Sequence, residues 1–199
     1  LRIRARHSFR LPKPCVWRIR SSCMARILPS EVTASSLQGE NGGMKFEHLV
    51  EINDPGNPLI PLMTRDELWR GLMFRAEDAT HFLPGLEACV ILERGDCLLQ
   101  RRLDFGKAAI EDCVTWSRFE WMSFAVAPTE SHAGGTLTIT IEEPAEDHLF
   151  LRFAYATTLG ESANDEDGAY AEFVKSAYHE SDIETVRVIR MLLAGETPH

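Results

Sequence analysis

The stretch ACVILERGDCLLQRRLDFGKAAIEDCVTW, residues 88–116, decides the fold. Gly95-Asp96 and Gly106-Lys107 divide it into three apolar-rich runs, and dipeptides of this kind favour hairpin turns. Pairing Arg94 with Cys97 across the first turn sets Leu92 opposite Leu99, Val90 opposite Arg101 and Ala88 opposite Leu103. Pairing Phe105 with Ala108 across the second sets Leu103 opposite Ile110, Arg101 opposite Asp112 and Leu99 opposite Val114. On the other face of that hairpin, Arg102 meets Glu111. Both registers turn Ala88, Val90, Leu92, Leu99, Leu103, Ile110, Val114 and Trp116 toward the core, and a slip of one residue would turn that set outward. The antiparallel meander so predicted carries two charges, Arg101 and Asp112, on its buried side. Their Cβ atoms would stand ~5 Å apart, within reach of a charge-assisted hydrogen bond. An unpaired charge there would be strongly penalised, so each is predicted to satisfy the other.

Upstream, residues 45–53 alternate, with Phe46, His48, Val50 and Ile52 on one parity, which reads as a half-buried strand. Pro55, Gly56, Pro58 and Pro61 end it. Thr64-Arg65-Asp66-Glu67 is a capping box opening a helix whose apolar stripe is Leu68, Trp69, Leu72 and Met73. A second short helix is predicted over 77–83, stopped by Pro84-Gly85.

Downstream, residues 120–127 read as a strand. Residues 136–142 alternate with Leu137, Ile139 and Ile141 inward, and a three-residue turn at 144–146 matches these to Phe153, Leu151 and Leu149. From about 168 to 193 the chain is a long amphipathic helix with Tyr170, Phe173, Val174, Ala177, Val188 and Leu192 on one face. Ser181 and Thr185 sit in the middle of that face, where a helix packed flat on a core would carry Leu or Ile. Their presence suggests a helix that spans a space. Ile183 and Val186 fall on the polar side, a candidate contact surface and the basis for a possible homodimer.

Apolar residues make up 44% of the 199 and charged residues 26%, the balance of a globular protein. No run approaches the ~20 apolar residues of a membrane helix. The net charge of −9 joins a basic segment, residues 1–43, to a strongly acidic remainder. So acidic a body repels phosphate backbones, which excludes nucleic acid as the expected partner. Residues 1–43 show no periodicity and scatter Arg among Ser and Pro, as a transit-type leader does. The alternative is an over-extended reading frame with Met44 as the physiological start. Either way the folded domain is expected over 44–199. Cys89, Cys97 and Cys113 are isolated, without a Cys-x-x-Cys, which points to buried thiols and a reducing, cytoplasmic setting. The His residues show no metal-ligand spacing, so neither metal nor cofactor is expected.

The segments MKFEHLVEIND (44–54), MTRDELWRGL (63–72), FLPGLEACVILERGD (82–96), GTLTITIEEP (135–144), LFLRFAYATTL (149–159) and YAEFVKSAYHESDIETVRVIR (170–190) resemble one family. This is the acetylaranotin-biosynthesis-protein-L-like family of the START-like, or Bet v 1-like, SRPBCC superfamily. The resemblance covers 44–199 and none of 1–43. It implies an α+β helix-grip fold: a curved antiparallel sheet wrapped around the last helix, two short helices after the first strand, and an apolar cavity between sheet and helix. No catalytic motif comes with it.

Three functional classes follow. The first is a module that binds a small hydrophobic or aromatic molecule in the cavity, with polar contacts from His48, Arg101, Asp112, Tyr155 and Tyr178 and with Trp116 at its wall. The second is an enzyme, a polyketide cyclase or dehydratase, using Asp112 or His48 for acid–base work and a tyrosine as proton donor. The third is a protein-interaction, co-chaperone-like module. A lone His or Tyr on an apolar stripe is often simply a hydrogen-bonded core residue, and a sheet ion pair often fixes register and nothing else.

Overall fold

The Gly106-Lys107 turn holds its predicted register. In the structure, a computed structural model that describes residues 43–129, 134–160 and 165–198, β3 (Leu98–Asp104) and β4 (Ala109–Ser117) pair antiparallel. Leu99 faces Val114, Arg101 faces Asp112 and Leu103 faces Ile110. The Phe105 N–H donates to the Ala108 carbonyl at 2.8 Å, and Gly106 takes a φ of +77°, a region that a side chain disfavours.

The first hairpin differs from its expectation. β2 (Ala88–Arg94) pairs Arg94 with Leu99 and Glu93 with Gln100, and a bulge at Leu92 then sets Ile91 opposite Arg101 and Cys89 opposite Leu103. The Cys97 carbonyl accepts from the Trp116 N–H at 3.3 Å, which draws Cys97 away from Arg94. The turn therefore spans Gly95 to Leu98, closed by Gly95 N–H to Leu98 O at 2.8 Å. Val90 and Leu92 consequently point outward, 49% and 51% exposed, while Cys89 and Ile91 take the inner positions.

β1 (Gly43–Glu51), β5 (Trp121–Val126), β6 (Gly135–Ala145) and β7 (His148–Gly160) complete a seven-stranded sheet in the order β1-β7-β6-β5-β4-β3-β2. β6 and β7 pair two residues away from the predicted register, with Leu137 on Tyr155, Ile139 on Phe153 and Ile141 on Leu151. The strands bulge past Pro144 and turn at Glu146-Asp147, where Asp147 adopts a φ of 61°. An even shift keeps the same side chains inward.

Thr64 caps α1 (Arg65–Glu77) in the predicted capping box, and Leu68, Trp69 and Leu72 are buried. The second short helix does not form. Asp78 is extended, and its carboxylate accepts from the Thr80 N–H at 3.0 Å, a local bond that competes with helix continuation. Isolated turns follow, with the Phe82 and Leu83 N–H groups donating to the Ala79 carbonyl and the Leu86 N–H to the Leu83 carbonyl.

α2 (Asp165–Leu193) lies against the sheet and α1. Gly71 of α1 permits that approach, since a Cβ there would fall 2.3 Å from Ile189 Cγ2. The buried face of α2 is Asp182, Thr185, Val186, Val188 and Ile189. Val186 therefore belongs to the core and forms no surface patch with the half-exposed Ile183. Thr185 does not border a gap; it is fully buried and donates to the Ser181 carbonyl at 3.0 Å. The first half of the helix is different: Phe173 is 70% exposed and Ala177 is exposed, so that part of the predicted apolar face is not packed. The Tyr170 side chain and the basic segment 1–42 lie outside the described residues. Among the described residues, no helix is long and apolar enough to cross a membrane.

Arg101 ties these layers together. It is 2% exposed, its Nε donates to Asp112 Oδ1 at 2.8 Å, and its Nη2 donates to Asp112 Oδ2. Its Nη1 donates to the carbonyls of Arg75 and Ala76, both at 2.9 Å. Those carbonyls belong to the last turn of α1, where helix geometry leaves acceptors without partners. Arg101→Leu should destabilise the protein by about 3–5 kcal/mol in urea unfolding, because it strands Asp112. Arg101→Leu/Asp112→Leu should recover part of that loss and not all, since the two helix carbonyls still lack donors. A double mutant as unstable as the single would contradict this account.

Candidate functional site

The inner face of the sheet beneath the first half of α2 is polar and aromatic. Antiparallel pairing of β1 with β7 puts Phe46 beside Tyr155 and His48 beside Phe153. Phe46 and Tyr155 stack at 4.8 Å between centroids, and Tyr178 of α2 adds a third near-parallel ring 4.5 Å from Tyr155. The Tyr155 hydroxyl donates to both carboxylate oxygens of Asp182 at 2.8 Å. His48 Nε2 lies 3.0 Å from Asp182 Oδ2 but is not aligned for a hydrogen bond, and His179 meets the imidazole edge-on at 4.8 Å.

Burial sets the electrostatics. Desolvation raises the Asp182 carboxyl to about 6, against the pull of the Tyr155 hydrogen bond and the Arg75 charge. Desolvation, followed by the Asp182 charge, raises the Tyr155 phenol well above its usual range. Burial and then the His179 charge lower His48, which favours the neutral imidazole. Near neutral pH the group is thus a carboxylate able to take a proton, a phenol that keeps its own, and an imidazole with a nitrogen to spare.

Among the described residues, three buried side-chain polar atoms have no hydrogen-bond partner: His48 Nε2, Arg75 Nη1 and Thr157 Oγ1. His48 and Thr157 follow the inward parity of β1 and β7. Arg75 is a buried arginine on α1 whose guanidinium lies over Phe124 at 5.0 Å, on the inward parity of β5. All three are turned to the same side of the sheet. His48 Nε2 already has Asp182 Oδ2 at 3.0 Å, which leaves Arg75 Nη1 and Thr157 Oγ1 on this face as the buried polar atoms that no described protein group meets, and such groups are normally satisfied.

A family model, that of the Acetylaranotin biosynthesis cluster protein L, matches residues 50–195. The chain belongs to this family. No curated protein matches it. Among solved structures, the family fold seen here is similar to the Zhui aromatase/cyclase from Streptomyces sp. R1128, with a TM-score of 0.53 at 13% identity, covering 78% of this chain and 99% of that one. It is similar to Ara h 8.0201, with a TM-score of 0.53 at 9% identity over 74% and 98% of the two chains. It is also similar to a START superfamily protein from Mycobacterium smegmatis, with a TM-score of 0.51 at 13% identity over 76% and 99%. At such identities the likeness is one of fold, and that fold is the helix grip.

The six residues singled out in this family member's sequence do not form one group. His48, Tyr155 and Tyr178 come together around Asp182. Arg101 and Asp112 form the brace behind α1, and four of the five guanidinium donors of Arg101 are taken by protein acceptors. Trp116 stands on β4 opposite Met122, packed against the apolar core. Sequence reasoning missed Asp182 and Arg75. Both signals were present: Arg75 sits at helical spacing on the stripe of Leu68 and Leu72, and Asp182 lies one turn from both Tyr178 and Val186. Two open surface concavities are present: one of about 380 Å³, whose lining includes Phe46 and Tyr155 together with Lys45, Glu47, Thr136 and Thr138, and one of about 390 Å³ between Pro61, Leu62, Met63 and the end of α2 near Arg190.

The raised Asp182 has a consequence for stability. Its folded state binds a proton more tightly than the unfolded chain, so its ionisation costs stability that grows as pH rises from about 4 to about 6 and persists above. The scale is roughly 3 kcal/mol, at 1.36 kcal/mol for each pH unit between the two pKa values. The lowered His48 acts in the opposite sense, since protonating it on acidification costs stability. Comparing Asp182→Asn with wild type isolates the carboxylate. The variant should be the more stable protein at pH 8 and lose that advantage near pH 4, as read by urea midpoints. An Asp182→Asn protein less stable than wild type at pH 8 would contradict a raised, unpaid carboxylate.

Proposed function

We propose that this protein binds a small hydrophobic or aromatic molecule on the inner face of the sheet, beneath the first half of α2. The observation that carries the reading is that two buried polar atoms without protein partners among the described residues, Arg75 Nη1 and Thr157 Oγ1, face the same side of the sheet as the His48–Asp182 pair and the stacked rings of Phe46, Tyr155 and Tyr178. A flat apolar ligand would extend the stack, and its polar groups would meet the orphaned atoms. Small-molecule sites commonly combine an apolar lining with a few placed polar groups. The stretch of α2 around Phe173 and Ala177, both exposed, is the way in. Arg101 and Asp112 serve this site from behind by fixing α1, and Trp116 by filling the wall. Cys89, Cys97 and Cys113 form no disulfide, which supports a cytoplasmic setting.

One observation favours a second reading, acid–base catalysis on the bound molecule. Asp182 titrates near 6, close to neutral, with a phenol and an imidazole at hand. A general base is most effective when its pKa lies near the working pH. On that reading Asp182 accepts a proton from the ligand, and Tyr155 holds the carboxylate in place. An aromatase/cyclase shares the fold.

The binding reading is tested with N-phenylnaphthylamine, an uncharged aromatic probe whose fluorescence rises in apolar surroundings. The full chain should bind it saturably. Tyr178→Ala should weaken binding roughly twofold to tenfold, the range of one aromatic pair, with little change in melting temperature. Saturable binding that is indifferent to Tyr178→Ala would remove the site from this face.

A further inference from the structure

Arg75 is the one buried guanidinium here without a direct counterion. It is 7% exposed, yet among the described residues no carboxylate pairs with it. Both nearby acids are committed elsewhere: Asp112 to two donors of Arg101, and Asp182 to the Tyr155 hydroxyl. The Arg75 guanidinium and that of Arg101 flank the same Phe124 ring, at 5.0 and 5.3 Å, so two like charges share one apolar wall. Arg101 is satisfied there, whereas Arg75 keeps its Nη1 buried and unpartnered. A buried charge without a hydrogen-bonded partner is costly, and folded proteins rarely retain one without a use. The backbone of Arg75 has its own structural task, since its carbonyl accepts from Arg101 whatever its side chain is. The side chain is therefore free to serve something else.

We infer that Arg75 Nη1 is an anion subsite, which receives a negatively charged oxygen of the bound molecule. The ligand class is thus an aromatic or apolar molecule carrying an acidic oxygen: a carboxylate, a sulfonate, or the enolate or phenolate of an acidic carbonyl compound. The inference rests on the proposed binding site and names the kind of molecule it takes. Arg75 couples electrostatically to Tyr155 and Asp182, so the oxygen on Arg75 lies within the influence of the titrating group. The apolar body would rest on Phe46, Tyr155 and Tyr178, with its charged end directed toward α1. Guanidinium suits this role because it stays charged when buried and offers directed donors to oxygen.

The test compares two probes with the same rings on the full chain. N-phenylnaphthylamine is uncharged, and anilinonaphthalenesulfonate carries a sulfonate. Arg75→Met should weaken the sulfonate probe roughly tenfold to a hundredfold, the value of one charged hydrogen bond, while binding of the uncharged probe changes by less than about twofold. Arg75→Lys, which keeps the charge and loses the fork, should retain part of the sulfonate affinity. Sulfonate binding that Arg75→Met leaves unchanged, or that falls equally for both probes, would overturn the anion subsite and leave Arg75 a hydrated structural residue. Failure of wild type to bind the sulfonate probe would overturn it as well. Failure of wild type to bind the uncharged probe would instead overturn the aromatic site itself, so the two ideas fail separately.

Discussion

The fold depends on a single buried arginine. Arg101 bonds sideways to Asp112 on the next strand and end-on to the last turn of α1. The first contact, together with the Gly106-Lys107 turn, holds the register of β3 on β4; the second ties the last turn of α1 to the sheet. Everything later in the chain inherits that placement. α1 positions Gly71, Gly71 admits Ile189, and Ile189 seats the second half of α2. A charged pair is a costly way to hold a core, since hydrophobic side chains of similar volume often do as well. Its merit is direction. The planar fork of the guanidinium accepts one arrangement of strand and helix and penalises others.

The two halves of α2 follow from this. Its second half is packed against an apolar core formed by Leu99, Val114, Met122, Ile139 and Phe153. In its first half, Tyr178 and His179 meet aromatic rings, while Phe173 and Ala177 are open to solvent. Asp182 sits at the junction, wholly buried and held by Tyr155. A protein optimised for stability alone would carry a leucine there. Asp182, His48, Arg75 and Thr157 together make an expensive patch in an otherwise conventional interior, and such expense is characteristic of binding and reacting sites. The stability sacrificed is local because the brace and the apolar half of α2 hold the rest.

Much of this was legible in the sequence, for identifiable reasons. The β3–β4 register followed from one turn and one charge pair, and the capping box announced α1. The signals that failed were local ones overridden by neighbours. Gly95-Asp96 has hairpin chemistry, but Cys97 is bonded to β4 and widens the loop. Residues 77–83 have helical composition, but Asp78 bonds to Thr80 and ends the helix. The apolar face expected for α2 runs through Phe173 and Ala177, which the sheet leaves uncovered, so Val186 reads as part of the polar side although it is buried. The candidate site was legible only in part: His48, Tyr155 and Tyr178 could be placed by parity, whereas Asp182 and Arg75 are charges whose burial emerges from packing between elements far apart in sequence.

The most direct measurement is a crystal structure of the full chain with bound N-phenylnaphthylamine. The account predicts the probe's rings stacked against Tyr155 and Tyr178, beneath the first half of α2 and beside His48. Density for the probe instead in the outward groove of Lys45, Glu47 and Thr138, or between Pro61–Met63 and the end of α2, would contradict it.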